Sequence, residues 1–186
     1  MAKHKKTDVG ISTLLNPVPV VMVSCAGKNP DNAEERPNIV TIAWAGTINS
    51  EPPMVSISVR KSRHSHKLIS ETGEFVINLV NKQLAKSCDY CGVKSGKDED
   101  KFASCGLSYI KAKNLDYAYS IVESPVNISC KVKQVIELGS HDMFIAEIVG
   151  VTADQYLLDE NGKLCGDVDR IGVLEHSDNT YVTPVP

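Results

Sequence analysis

Apolar and polar residues alternate along much of this chain with a period of two, the pattern expected of β-strands with one buried face. In the run Met54–Arg60, positions 55, 57 and 59 are Val, Ile and Val, whereas positions 56, 58 and 60 are Ser, Ser and Arg. This run predicts a half-exposed strand, because one face is apolar and the other polar. We predict further strands over 18–26, 38–48, 74–80, 126–138 and 143–153.

Short helices and tight turns are predicted between the strands. The predicted helices lie after the capping residue Ser62 and over 82–90 and 98–104. The predicted chain reversals lie at Gly106, 139–142 and 159–162. Six or more strands with a few short helices predict one mainly β domain, built as a closed or nearly closed antiparallel barrel.

The composition is that of an ordinary globular protein and narrows the function by exclusion. The chain has 186 residues, of which 42% are hydrophobic and 23% charged, and its formal net charge is −3. A nucleic-acid-binding surface needs an excess of basic residues, so no nucleic acid partner is predicted. No early segment has the pattern of an export signal, and no run approaches the ~18 apolar residues of a membrane span. We therefore predict a cytoplasmic protein without membrane contact.

Six cysteines raise the question of metal or disulfide chemistry. A cytosolic chain keeps its cysteines as thiols by default. Cys88 and Cys91 have C-x-x-C spacing, but no second pair completes a zinc site, and the βαβ setting of a thioredoxin motif is missing. We interpret them as structural thiols, with a redox pair as the alternative, and predict no metal site. The sequence also lacks a G-x-G-x-x-G turn after a strand, so a Rossmann nicotinamide-binding fold is not supported.

The segment Val59–Ser65, where a polar-faced strand runs into a helix, is the strongest chemical signal among the residues themselves. A helix N-terminus presents unpaired N–H groups, and the hydroxyl and guanidinium groups of this segment suit a phosphate. The same residues also fit a capped surface helix with solvated cations, and residue types alone favour that plainer interpretation. His141, in the predicted hairpin loop, is open to the same two interpretations, as a proton donor at a site or a surface residue.

Eight segments occur in an order that is typical of one family. They are PVPVVMVSC at 17–25, NIVTIAWAG at 38–46, PPMVSISVR at 52–60, HSHKLI at 64–69, GEFVINL at 73–79, CGVKSG at 91–96, DKF at 100–102 and GSH at 139–141. Together they resemble the flavin reductase-like domain family, especially its flavoredoxin and ferric-reductase-like branch. The resemblance covers about residues 12 to 155, and the segment from Arg170 onward matches only loosely.

The resemblance implies a fold and a cofactor. The implied fold is the FMN-binding split β-barrel, a mainly β, Greek-key antiparallel barrel with a few short helices. This fold forms a homodimer and holds FMN near the subunit interface. The residues implied to border the isoalloxazine ring, partly through backbone groups, are Thr41, Ile42, Ala43 and Trp44.

The resemblance also implies a phosphate cradle and a catalytic candidate. Ser58, Val59 and Arg60 are implied to follow the ribityl chain and the phosphate, and Ser65 to complete the cradle. Lys101 is implied as a second phosphate cation, and His141 as the group that approaches the flavin or its redox partner. With the resemblance, the phosphate interpretation of the segment around Arg60 becomes the favoured one.

These inferences give an expected organisation and function. We expect a loosely attached N-terminus over 1–10, one FMN-binding domain over 11–170 and a C-terminal tail over 171–186. The expected function is that of an FMN-containing oxidoreductase or electron carrier, which exchanges electrons with a redox protein or with NAD(P)H. An NAD(P)H:flavin reductase that releases reduced FMN is a close alternative. A β-barrel module that binds flavin without turnover is an alternative of a different class.

Overall fold

A computed structural model describes residues 4, 6–164, 175–177 and 180–182. Within these residues the helices are α1 (His64–Thr72), α2 (Ala85–Val93) and α3 (Lys101–Cys105). Short 3₁₀ turns cover Lys82–Leu84 and Gln155–Leu157. The strands are β1 (Val18–Pro19), β2 (Val21–Cys25), β3 (Asn38–Ile42), β4 (Ala45–Ser50), β5 (Pro53–Arg60), β6 (Glu74–Leu79), β7 (Tyr109–Lys111), β8 (Tyr119–Ile121), β9 (Val126–Glu137), β10 (His141–Ala153), β11 (Glu175–Ser177) and β12 (Thr180–Val182).

Seven of the strands form one sheet in the order β3-β2-β6-β9-β10-β5-β4, and every neighbouring pair is antiparallel. β3 and β4 are therefore the two edges of this sheet, although only Ala43 and Trp44 separate them along the chain. A connection this short spans at most about 10 Å, so the end of β3 and the start of β4 must lie close together. The sheet is consequently rolled into a barrel that stays split where β3 faces the β4–β5 edge.

The interior of the barrel is one apolar core, to which strands on both sides of the split contribute side chains. Val40 of β3 and Ile57 of β5 belong to the same buried cluster, together with Phe75 of β6 and Phe144 of β10. Helix α1 adds Leu68 to this cluster, because its apolar side faces the barrel interior. Burial of this apolar surface is the main force that keeps the sheet rolled.

A second buried cluster lies on the outer side of β2, beneath helices α2 and α3. Val20, just before β2, and Met22 within it face this cluster, since alternate residues of a strand point to opposite faces. Cys88, Cys91 and Phe102 fill the cluster from the two helices. This packing holds the loop between α2 and α3 close to the first turn of α1.

The described architecture confirms the predicted mainly β antiparallel fold, but two predicted strands are divided. The run 38–48 forms β3 and β4 and not one strand, because the chain crosses between the sheet edges at Ala43–Trp44. The run 18–26 is also divided, and its first part, β1, pairs with β11 in a separate small sheet. The sequence pattern does not predict β7 and β8, which pair only with each other.

Helix ends and turns follow local backbone chemistry. The prediction that Ser62 caps the first helix is wrong, because the N-cap is Arg63 and no side chain accepts a hydrogen bond from the first turn. Gly106 ends α3 as predicted, with a φ of 63° in the left-handed region that glycine adopts without strain. The predicted hairpin also forms, but its loop is 138–140 and not 139–142, because His141 and Asp142 already pair with Arg60 and Val59 at the start of β10.

The two ends of the chain were expected to form a loosely attached N-terminus and a C-terminal tail. Residues 6–10 are exposed and have no regular secondary structure. The expected C-terminal tail, 171–186, lies outside the described residues except for β11 and β12, and Cys165 lies outside them as well. In the part of the chain that the structure describes, no helix is long and apolar enough to cross a membrane.

Replacement of Phe75 tests the barrel core. Phe75 is fully buried, so Phe75→Ala removes a large side chain and leaves a cavity. We expect the free energy of unfolding, measured by urea titration, to fall by about 3–5 kcal/mol. The control is Val135→Ala at an exposed position of β9, which should cost less than about 1 kcal/mol. A loss for Phe75→Ala no larger than that of the control would contradict its place in the core.

Candidate functional site

Two adjoining cavities lie at the split of the barrel. The first, which we call the edge cavity, has a volume of about 490 Å³ and lies between β3 and the end of β5. It is lined by Val40, Thr41, Ile42, Ala43, Trp44, Ser58, Val59, Arg60, Arg63 and His141. The second, the basic cavity, has a volume of about 350 Å³. It is lined by Asn38, Val40, Arg60, Ser62, Arg63, His64, Ser65, Lys94, Ser95, Gly96 and Lys101.

The cavities share Val40, Arg60 and Arg63, so together they form one groove. The groove contains all ten residues that the sequence proposed for the site. Arg60 lines both cavities and Ser65 and Lys101 line the basic cavity, while the other seven line the edge cavity. The fold therefore brings together residues from five separate segments, which the sequence could place only in order along the chain.

The walls of the edge cavity are mostly backbone and small groups. The side chains of Ile42 and Val59 belong to the barrel core, so these residues offer their backbone to the cavity. Thr41 donates its hydroxyl hydrogen to a backbone carbonyl of α2. Trp44 stands 49% exposed, and its carbonyl accepts a hydrogen bond from the Ser58 N–H at 2.9 Å. A planar, largely apolar ligand suits such walls, with the indole at its border.

His141 lies beside Trp44, and the centroids of the two rings are 4.7 Å apart at an interplanar angle of 45°. Its Nδ1 is 2.9 Å from the Ser140 hydroxyl oxygen. Burial and the nearby Arg60 guanidinium lower the pKa of His141. The imidazole is therefore neutral at pH 7 and can offer a hydrogen bond to a ligand without adding a charge.

The N-terminus of helix α1 points at the basic cavity, because His64 and Ser65 of its first turn line that cavity. No side chain caps the helix, so its first N–H groups and the positive end of its dipole are available to an anion. The Ser65 hydroxyl accepts a hydrogen bond from the Asn38 amide at 2.8 Å. Its own hydrogen can be donated either to the neighbouring Cys25 thiol or to a ligand.

Lys101 is 3% exposed, an unusual degree of burial for a lysine. Its ammonium group donates hydrogen bonds to the carbonyls of Ile39 and Cys91, at 2.7 and 2.9 Å. Burial lowers the pKa of Lys101, and no carboxylate within the described residues forms a salt bridge with it. One N–H donor is left over, and Lys101 lines the basic cavity, so an anion there would complete its bonding.

Asn38, His64 and Gly96 also line the basic cavity, although the sequence did not assign them to the site, and so does Arg63, which the sequence offered only as one of the guanidinium groups of the segment Val59–Ser65. Gly96 has a clear structural reason to be glycine, because a Cβ atom there would lie 2.1 Å from the Asn38 side-chain oxygen. Only weak signals in the sequence point to these four residues. Three of the four lie within the motifs quoted for the family resemblance, and Arg63 belongs to the cation-rich segment after β5.

The described cysteines are free thiols. The sequence spacing pairs Cys91 with Cys88. In the structure, Cys91 also lies beside Cys105, with 3.9 Å between the two sulfur atoms. Burial raises the pKa of Cys88 to about 12, which leaves its thiol unreactive. Within the described residues, no group of three or more His, Cys, Asp or Glu side chains is arranged to hold a metal ion.

Comparison with known families adds to this geometry. The model of the flavin reductase like domain matches residues 14–166, which is most of the chain. The chain belongs to the flavin reductase-like domain family. The eight segments that carry the sequence resemblance, from residue 17 to residue 141, all lie within this match. The family prediction made from those segments is therefore confirmed.

Solved structures of this family share the fold. The flavoredoxin of Desulfovibrio vulgaris (Miyazaki F) is 32% identical, with a TM-score of 0.87 over 98% of this chain and 94% of its own. A protein described as a flavin reductase with a split barrel domain, from Shewanella frigidimarina, is 21% identical, with a TM-score of 0.80 over 94% of this chain and 85% of its own. The predicted split β-barrel is therefore confirmed.

Two curated relatives match over shorter stretches. A protein of Archaeoglobus fulgidus is 33% identical over 118 residues, or 63% of this chain and 66% of its own. The high molecular weight rubredoxin of Moorella thermoacetica is 28% identical over 102 residues, or 54% of this chain and 43% of its own. The chain thus spans just under two thirds of the first relative and under half of the second.

The pH dependence of stability tests the placement of His64. This residue is 8% exposed. Burial lowers the pKa of His64, the backbone of Glu34 opposes this in part, and Lys97 and Lys67 lower the pKa further. Between the folded-state pKa and the ordinary value of about 6.5, the unfolded chain binds the extra proton, so stability falls as the pH falls.

We expect the urea midpoint of the protein to fall between pH 7.5 and pH 5.5, and His64→Gln to reduce that fall. His4→Gln, at an exposed position near the N-terminus, is the matched control, and its urea midpoint should fall as much as that of the wild type. An equal fall in the urea midpoint of the two variants would show that His64 is not held neutral by its surroundings.

Proposed function

We propose that this protein binds FMN in the groove at the barrel split and uses it to transfer electrons between redox partners. The observation that carries this proposal is one groove whose two ends differ. Lys101 and the first turn of α1 line the basic cavity and not the edge cavity, whereas Trp44 and His141 line the edge cavity and not the basic cavity. FMN has a flat, largely apolar ring at one end and a phosphate dianion at the other. The edge cavity suits the ring, and the basic cavity suits the phosphate.

The phosphate end is supported by several independent donors. Arg60 and Arg63 offer guanidinium groups, Ser65 offers its hydroxyl, and the uncapped first turn of α1 offers N–H groups. Lys101 would give its remaining N–H to the same anion. Because this cradle is compact and accommodates one phosphate, it supports FMN as the cofactor.

The ring end is supported by the wall of β3 and the residues that follow it. Thr41, Ile42, Ala43 and Trp44 would border the isoalloxazine ring, and Ser58 and Val59 would lie along the ribityl chain. The bound flavin supplies the redox chemistry, and the protein orients it and tunes it by nearby hydrogen bonds and charge. His141, neutral at the cavity wall, would face the flavin or an incoming redox partner.

Electron transfer, in preference to release of free reduced flavin, is supported by the relatives. The Desulfovibrio vulgaris protein is a flavoredoxin, and its match extends over nearly the whole of both chains. The Moorella thermoacetica relative is a rubredoxin by name, which points to the same class of chemistry. We therefore favour a redox protein over NAD(P)H as the electron donor.

A homodimer is supported by exposed apolar groups next to the edge cavity. Leu14, Leu15 and Trp44 are exposed, and they border a further cleft of about 550 Å³ that shares Ala43 and Ser58 with the edge cavity. A second copy of the chain would cover these groups and enclose the flavin ring. The free thiols suit a reducing compartment, and we propose the cytoplasm.

The cofactor and the electron donor can be tested together. The purified protein should be yellow, and chromatography of the extracted chromophore should give FMN. Under anaerobic conditions, a reduced ferredoxin-type protein should bleach the flavin band rapidly, whereas NADH and NADPH should bleach it slowly. FAD as the extracted cofactor, or no flavin after reconstitution, would contradict the proposal. Rapid bleaching by NADH or NADPH would favour the reductase.

Arg60→Ala tests the phosphate contact. Loss of one charge-assisted hydrogen bond is worth roughly 1.5–3 kcal/mol, so FMN should bind about tenfold to a hundredfold more weakly. Riboflavin lacks the phosphate and should bind both proteins equally, as judged by fluorescence titration. Lys86→Ala, at an exposed position of α2 away from the groove, is the control variant and should leave both affinities unchanged. Equal FMN affinity for Arg60→Ala and the wild type would place Arg60 outside the cradle.

A further inference from the structure

Asp142 is a buried carboxylate just behind the groove. It is 5% exposed, and its side chain makes two close contacts. Its Oδ2 lies 2.7 Å from Nε2 of His66, and its Oδ1 lies 3.2 Å from Nζ of Lys61. Burial by itself would raise the pKa of Asp142, but the contacts with His66 and Lys61 outweigh it and hold the pKa below its usual value. Asp142 therefore stays ionised at neutral pH.

The two partners of Asp142 flank Arg63 and Ser65, two of the residues that line the basic cavity. Lys61 directly follows Arg60, and His66 directly follows Ser65, so the segment between them includes Arg63. The segment is a tight turn, in which the Arg63 N–H donates to the Arg60 carbonyl at 2.9 Å and the His66 N–H donates to the Arg63 carbonyl at 3.0 Å. One carboxylate thus anchors both ends of the turn that presents Arg63 and Ser65 to the basic cavity.

Asp142 is itself tied to the barrel. It lies near the start of β10, opposite Val59 of β5 and Glu137 of β9. Its position is therefore set by two ladders of backbone hydrogen bonds. A side chain held in this way is a fixed reference point for the turn, and it adds to two other bonds that the turn makes with distant residues. These are the Lys61 N–H to the Ser140 carbonyl, at 3.4 Å, and the Asn38 amide to the Ser65 hydroxyl, at 2.8 Å.

We infer that Asp142 is a positioning residue for a phosphate group, which it serves by anchoring the turn Lys61–His66 without touching the ligand. The inference rests on the proposed function in that it takes the basic cavity as the phosphate site. It adds a residue that lines neither cavity of the groove. It also gives a role to His66, which contacts Asp142 and the ring of Phe144 at a centroid distance of 5.4 Å.

Asp142→Asn tests this role, because asparagine keeps the shape of the side chain and removes its charge. We expect FMN to bind about tenfold more weakly, as for one misaligned charge-assisted hydrogen bond. Riboflavin affinity should change less than twofold. The ratio of the two affinities is the informative readout, because general loosening of the fold would weaken both ligands. Circular dichroism and the urea midpoint check that the variant is folded.

Glu137→Gln is the matched control. Glu137 also contacts the Lys61 ammonium group, at 2.8 Å, but it is exposed and does not contact His66. This variant should keep the wild-type ratio of FMN to riboflavin affinity. His66→Gln removes the second anchor from the other side, so it should lower the ratio in the same direction as Asp142→Asn. It also provides the test if Asp142→Asn does not fold.

The outcomes separate this inference from the proposed function. A wild-type protein that binds FMN no better than riboflavin would overturn the phosphate cradle and the inference with it. A wild-type preference for FMN that Asp142→Asn and His66→Gln both retain would overturn the inference alone. A parallel loss of FMN and riboflavin binding in both variants would also overturn it, because Asp142 would then serve the fold in general. A lowered ratio in both variants, with Glu137→Gln unchanged, is the supporting result.

Discussion

The connection Ala43–Trp44 is the constraint on which the rest of the structure depends. Two residues join strands that lie at opposite edges of a seven-stranded sheet, so the sheet has to roll until the edges meet. An exposed strand edge normally invites pairing with another chain. Here the edge formed by β3 faces the end of β5 across the edge cavity, and its backbone becomes a wall of the groove. The roll that forms the core therefore also forms the site.

A concentration of positive charge sets the character of that site. The chain as a whole carries a formal net charge of −3, yet Arg60, Arg63, Lys94 and Lys101 line the basic cavity, and none of its described lining residues is acidic. Cations held close together repel one another and cost free energy of folding. Favourable core packing and the hydrogen bonds from Lys101 to backbone carbonyls offset this repulsion. A bound anion would relieve the repulsion without any rearrangement of the donors, and this is the physical meaning of a preorganised site.

The sequence predicts the parts of this protein that depend on local periodicity. The alternation in Met54–Arg60 gives the half-exposed strand β5, and the loop between β9 and β10 is visible as a hairpin. The break in the run 38–48 is not visible, because Ala43 and Trp44 are acceptable strand residues and only the closure of the sheet divides them. Propensity describes a segment and its neighbours, whereas the crossing between sheet edges is a property of the whole sheet.

The candidate site shows the same division between local and global information. Residue types alone left the segment around Arg60 ambiguous, because a cation on a strand end looks the same whether it faces water or a cavity. The order of motifs pointed to five separate segments, and the structure brings residues of all five into one groove. Gly96 and Asn38 were missed for a different reason. Their importance lies in their close approach to each other across the cavity, and two positions 58 residues apart carry no local sign of it.

The start of β10 shows how backbone register can set the geometry of a site. His141 and Asp142 are consecutive, so their side chains point to opposite faces of the sheet. One faces the edge cavity, and the other holds the turn that carries the cradle residues. His141 is paired with Arg60 across the ladder, and the irregularities in the pairing of β9 with β10 begin only after Ile145. The length of the hairpin at residues 138–140 therefore fixes which residue faces which side.

A shift of one residue would exchange a neutral imidazole and a carboxylate between the two faces. That exchange would put a negative charge beside the Arg60 guanidinium at the cavity and leave Lys61 without its buried partner. The short hairpin thus has a chemical consequence, because it keeps the carboxylate off the face of β10 that lines the edge cavity.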